Sequence, residues 1–194
     1  EAVKLVSKIL ALKELPEGSI VHPGPRVAQY DEHEIPSFLR PLINRLKREQ
    51  IVQNQPFQLN VNVYDSSKYC IVPHKDSLGK QAVIVTLFSS CLLDFYYNEH
   101  PVYNALLFDE PLGDPTTSVL MEPNSVLSFT GDAFYKHMHG IYPRDEDIID
   151  KDKVANYELS ALRNTVCDGG DENIVLKRGM RISIVMWVEE DEVK

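Results

Sequence analysis

The segment Val72-Pro73-His74-Lys75-Asp76 carries the residue types and spacing most suited to chemistry. On an extended chain, residues i and i+2 point to the same side, so His74 and Asp76 can reach one metal ion together. A second imidazole from a distant strand would complete a facial set of two histidines and one carboxylate. Such a set suits non-haem iron(II), because three coordination positions stay open for a co-substrate and O2. His137 and His139 are the candidates, and the bare spacing does not choose between them.

These residues have to be held by a scaffold, and from residue 57 onward the pattern is that of strands. Phe57, Leu59, Val61 and Val63 alternate with polar residues, which is the period of a half-buried strand. Further runs rich in Val, Ile, Phe, Tyr and Thr follow at 69–72, 81–88, 92–97, 118–121, 125–130, 134–139 and 180–188. Turn signals at 65–67, 77–79, 122–124 and 131–132 separate them. Two helices precede the strands. One is expected over residues 2–15, with Val3, Val6, Ile9 and Leu10 at helical spacing. The other starts near Pro36 and has an apolar stripe of Phe38, Leu39, Leu42, Ile43 and Leu46. Arg40, Arg45, Lys47 and Arg48 lie mostly off that stripe and read as a solvated face. Residues 16–34 read as irregular and partly extended. The fold class expected is mostly β (α+β), a double-stranded β-helix or jelly roll with N-terminal helices packed on one sheet. Residues 1–194 read as one domain, with a helical lead-in at 1–50, a jelly-roll core at 57–188 and an acidic excursion at 142–176 that breaks the strand pattern.

Composition narrows the classes of function. Hydrophobic residues make up 43% and charged residues 25% of the 194 residues, as in an ordinary globular protein. No apolar run approaches the roughly 18 residues of a membrane helix. The 3 cysteines, Cys70, Cys91 and Cys167, form no C-x-x-C pair. That argues against a disulfide framework or structural zinc and for the cytoplasm and/or the nucleus. A net charge of −9 argues against binding nucleic acid through bulk charge.

The order of motifs resembles the AlkB family. Asn62-Val63-Tyr64 precedes His74-Lys75-Asp76. His139-Gly140-Ile141 comes later, and Arg178-Gly179-Met180-Arg181 opens the last strand. The likeness runs from about residue 59 to 187. Within the family it is greatest to the branch of the sixth animal AlkB homologue, on Leu93-Asp94-Phe95-Tyr96, on residues 116–123 and on the insertion after His139. The resemblance implies an Fe(II)- and 2-oxoglutarate-dependent dioxygenase that consumes O2. His74, Asp76 and His139 would be the metal ligands and catalytic centre, with His139 preferred to His137 because Gly140-Ile141 follow it. Asn62, Tyr64, Arg181 and Ser183 would contact 2-oxoglutarate, with Arg181 on its distal carboxylate. The implied reaction hydroxylates N-methyl groups and releases them as formaldehyde. Methylated DNA or RNA is the substrate class of the family, and a protein substrate is the alternative. If a base enters the pocket, Tyr69, Tyr96, Tyr97 and Tyr135 are available for stacking. Two departures stand out. Trp187 occupies the place where many members carry a second arginine, and residues 65–68 replace a glycine turn. Trp187 keeps a further alternative open, an impaired enzyme that serves as a binding or regulatory protein.

Overall fold

The computed structural model describes residues 8–9, 25–65, 69–97, 114–164 and 174–189. Two antiparallel sheets face each other in a mostly-β, jelly-roll-like sandwich. The first has five strands: β1 (Arg26–Asp31), β2 (Gln58–Tyr64), β11 (Arg181–Val188), β4 (Gln81–Phe88) and β7 (Val126–Thr130), in that spatial order. The second has four: β3 (Ile71–His74), β8 (His137–Ile141), β5 (Cys91–Tyr97) and β6 (Thr117–Met121).

Alternation explains both faces of the larger sheet. On β11 the even residues Ile182, Ile184, Met186 and Val188 join Leu59, Val61, Val63, Val83 and Val85 in an outer apolar layer. That layer is covered by Leu39, Ile43 and Leu46. The last two lie on α1 (Arg40–Arg48), and the basic side chains of that helix are exposed. The odd residues Arg181, Ser183, Val185 and Trp187 turn inward and line a cavity between the sheets. Beside that cavity Tyr64, Ile84, Leu93, Phe95, Met121, Phe129 and Phe134 form the inter-sheet core. Each fully buried aliphatic or aromatic side chain in these layers stabilises the fold by roughly 1.5–3 kcal/mol.

Three expectations are corrected. Residues 26–31, within a segment read as irregular and partly extended, form a regular strand, β1, which pairs with β2 in register. The run 134–139 is not one strand. A short helix, α2 (Gly131–Tyr135), comes first, and β8 begins at His137. The second helix begins near Pro36 as expected, its first turn at Ser37–Leu39 being 3-10 before α1. The excursion is partly built as well: β9 (Glu146–Ile149) and β10 (Ile174–Lys177) pair with each other. Its Ile149, Val154, Ile174 and Leu176 cover Leu92 and Leu120 on the outer face of the smaller sheet. The helix expected over residues 2–15 lies outside the described residues except for Lys8 and Ile9, which are helical, Ile9 being fully buried in the outer layer. Cys167 lies outside them too.

Candidate metal and co-substrate site

His74 ends β3 and His139 sits in the middle of β8, and the two are direct cross-strand partners. That register brings their rings to 4.6 Å between centroids. The chain leaves β3 after His74, and two residues later Asp76 turns back between the imidazoles. Its Oδ1 is 3.7 Å from Nε2 of His74, and its Oδ2 is 3.7 Å from Nε2 of His139. One ligand atom from each residue lies within 4.8 Å of the other two. These gaps exceed good hydrogen-bond distances and suit donors converging on a shared cation. Ligands about 2.1 Å from a metal, at right angles, stand about 3 Å apart.

Local structure sets which nitrogen faces inward. Nδ1 of His74 lies 2.9 Å from the Val72 carbonyl oxygen, and a carbonyl only accepts. Nδ1 therefore carries the proton, and Nε2 offers its lone pair to the site. The glycine after His139 has a steric reason. A Cβ on Gly140 would lie 2.8 Å from both Ile71 O and Pro73 Cγ, so only glycine lets β8 approach β3 this closely. His137 stays outside the cluster. Its Nδ1 is 3.1 Å from the Asp132 carbonyl oxygen and its ring packs on Tyr97.

Electrostatics divide the two imidazoles. Burial pushes His139 down to about 4, with the nearby His74 acting in the same direction, so its ring is neutral at physiological pH. His74 is also lowered by burial, but the Asp76 carboxylate and the Val72 carbonyl outweigh this and hold it above the ordinary value. Burial alone raises the Asp76 carboxyl. Its interactions with His74 and His139 win and keep it below the usual carboxylate range. The indole N–H of Trp187, the only donor that side chain has, acts in the same direction on this carboxylate.

Across the cavity from the triad, β2 and β11 present a polar floor. Tyr64 faces Arg181 and Asn62 faces Ser183 in the strand register. The Arg181 guanidinium lies 3.8 Å over the Tyr64 ring, and Nδ2 of Asn62 reaches Oγ of Ser183 at 3.4 Å. Arg181 is 4% exposed, yet Nη1 and Nη2 have no hydrogen-bond partner among the described residues. The Tyr64 hydroxyl and Asn62 Oδ1 are buried and unpartnered in the same sense. Burial pushes the Tyr64 phenol up despite the opposing field of Arg181, so it keeps its proton and can donate. A buried guanidinium without a counter-ion is costly. An anionic carboxylate laid against Arg181, with the Tyr64 hydroxyl donating to it, would satisfy the guanidinium and the phenol at once. The residues therefore fit both a divalent metal and a dicarboxylate.

The cavity measures about 520 Å³ and its walls are mostly apolar. It is lined by all seven residues singled out from sequence: His74, Asp76, His139, Asn62, Tyr64, Arg181 and Ser183. Pro25, Val27, Lys75, Ser77 and Leu78 line its rim, where Ser77 and Leu78 are exposed. The sequence reading missed Asn60, which lines the cavity two residues before Asn62. The N-x-N-x-Y alternation would have found it. The tyrosines offered for stacking are elsewhere, since none of Tyr69, Tyr96, Tyr97 and Tyr135 lines this cavity. Its aromatic walls are Tyr64 and Trp187.

No protein-family model matches the chain. An uncharacterized protein, L905 of Acanthamoeba polyphaga mimivirus, is 28% identical over 125 residues, which cover 63% of this chain and 53% of that protein. Among solved structures, OsALKBH1 aligns over 81% of this chain and 63% of its own, at 15% identity and a TM-score of 0.37. The chain thus spans between half and two thirds of the length of each.

Proposed function

We propose that the protein is an Fe(II)- and 2-oxoglutarate-dependent dioxygenase of the AlkB family that hydroxylates N-methyl groups on nucleic-acid bases. The observation that carries this reading is the pairing, in one cavity, of a His-Asp-His convergence with a buried guanidinium whose Nη1 and Nη2 have no hydrogen-bond partner among the described residues. Either half alone has ordinary explanations. Together they match the needs of a metal and a keto dicarboxylate that must lie side by side.

In this reading Nε2 of His74, a carboxylate oxygen of Asp76 and Nε2 of His139 hold the metal. Arg181 and the Tyr64 hydroxyl grip the distal carboxylate of 2-oxoglutarate, and Asn62 and Ser183 fix its orientation. Bound there, the metal and co-substrate supply oxidation. 2-Oxoglutarate and O2 give succinate and CO2, one oxygen atom goes to succinate, and the other enters the substrate C–H bond. An N–CH3 group becomes N–CH2OH, which breaks its N–C bond to return N–H and formaldehyde. The chain contributes position and exclusion of water. Ile84, Leu93, Met121 and Ile141 give the cavity dry walls, which strengthens every electrostatic contact inside it.

The test is turnover. Protein supplied with Fe(II), 2-oxoglutarate and N-methylated DNA and RNA oligonucleotides should release formaldehyde and succinate in equal amounts. Succinate without formaldehyde on every oligonucleotide, but with hydroxylation of a methylated peptide, would move the substrate to protein. No succinate at all would contradict the assignment as an enzyme.

A further inference from the structure

The groups assigned above leave Asn60, a polar side chain lining the cavity, without a task. Asn60 stands on the same face of β2 as Asn62 and Tyr64, directly opposite Val185 of β11. Its Oδ1 is buried and has no hydrogen-bond partner among the described residues. A buried carbonyl oxygen left unpaired is destabilising, so a ligand donor is the natural complement. The co-substrate does not supply it. Asn60 lies four residues, about 13 Å of strand, from the Arg181–Tyr64 end, farther than a five-carbon dicarboxylate extends.

The surroundings of Asn60 indicate what would. Trp187 follows Val185 by two residues on the same face of β11, which makes it the diagonal neighbour of Asn60 and another wall of the cavity. Diagonal pairs of this kind are within reach of aromatic side chains. The pair offers a flat apolar surface beside an amide that presents an acceptor next to a donor. A net charge of −9 leaves little general attraction for a phosphate backbone, so selectivity has to come from contacts made inside the cavity.

Building on the function proposed above, we infer that Asn60 is a specificity-determining residue of a substrate subsite. It reads the hydrogen-bonding edge of a nucleobase whose face rests on Trp187. An amide matches a base edge that places a donor beside an acceptor, and a well-formed pair of this kind discriminates by roughly 5- to 150-fold.

The experiment uses protein holding Mn(II) and 2-oxoglutarate without O2. A panel of N-methylated and unmethylated nucleosides is titrated in, followed by equilibrium dialysis and by the fluorescence of Trp187, the single tryptophan of the chain. The parent should bind at least one nucleoside with quenching. Asn60→Ala should weaken that binding fivefold or more and narrow the spread across the panel, with 2-oxoglutarate affinity within twofold of the parent. Asn60→Asp, equal in shape but lacking the amide donors, should reorder the preferences. If Asn60→Ala fails to fold, Asn60→Asp decides in its place. Unchanged nucleoside affinity in the variants would overturn the inference. So would a parallel fall in 2-oxoglutarate affinity, or binding of an N-methylated lysine peptide and of no nucleoside. A parent that fails to bind 2-oxoglutarate removes the proposed function instead, and nucleoside binding measured without it still decides the role of Asn60.

Discussion

Arg178 and Arg181 are three residues apart and almost equally buried, and their surroundings could hardly differ more. Arg178 donates through Nε and Nη2 to the two oxygens of Asp147 and through Nη1 to the Tyr142 carbonyl. Asp147, fully buried, also accepts from Arg144 and from the Leu92 amide. Arg144 continues to Asp94, which accepts from Ser118. This closed network ties the excursion to the outer face of the smaller sheet. Arg181, on the inner side, has a tyrosine ring beneath its guanidinium and no acceptor among the described residues for Nη1 or Nη2. The lesson is one of accounting. A buried charge whose hydrogen bonds are complete holds the fold together, and a buried charge whose hydrogen bonds are open is shaped for something else.

The comparison can be broken by substitution. The largest effect expected on stability is at Asp147. Asp147→Ala leaves Arg178 buried without its carboxylate and should cost about 3–5 kcal/mol, read as a lower denaturant midpoint. Arg181→Met should do the reverse. It removes an uncompensated cation and should leave the metal-free protein as stable as the parent or up to about 2 kcal/mol more so. If Arg181→Met destabilised the protein as much as Asp147→Ala, the two arginines would be of one kind.

On the metal side, His139→Ala and Asp76→Ala should lower Mn(II) affinity by more than the roughly 10- to 100-fold typical of losing an outer-shell partner. Calorimetry would measure it, with the denaturation midpoint as a check on folding. The imidazoles sharpen the contrast further. In the metal-free protein His139 should stay neutral down to about pH 4, and His74 should take up its proton above the ordinary histidine value. Nitrogen NMR shifts of the two rings would report this. Because the metal must displace that proton from His74, affinity should rise with pH through the His74 transition. The smallest effect concerns Cys91, whose thiol is pushed up by burial. In the native protein it should resist iodoacetamide at pH 8 and react only on unfolding, as peptide mapping would show.

The site was more legible than the scaffold that carries it. His74 and Asp76 could be paired from sequence because ligation ties residue types to a two-residue spacing, and that spacing survives any detail of the turn. Tyr64, Asn62, Arg181 and Ser183 share the same logic on β2 and β11. Asn60 continues the same alternation two residues before Asn62, but lies outside the N-x-Y motif that carried the resemblance. The strand β1 was hidden by the prolines and glycine at 23–25, which suggest an irregular chain just before Arg26. The short helix α2 has no side-chain cap bond at Thr130, so nothing local announced it, and Phe134 to His139 alternate well enough to pass for a strand. In the excursion, β9 and β10 have four residues each, too few for a period to show. They hold because the Asp147 network and the apolar layer around Leu120 hold them.

The most direct test of the account is a calorimetric titration of 2-oxoglutarate into Mn(II)-loaded protein under anaerobic conditions, beside Arg181→Met. The account predicts binding in the parent and a loss of at least about thirtyfold in the variant, as expected when a buried charge pair is broken, with the variant no less stable. A parent that binds Mn(II) but not 2-oxoglutarate, or a variant that binds it as well as the parent, would contradict the claim that Arg181 is held open for a carboxylate.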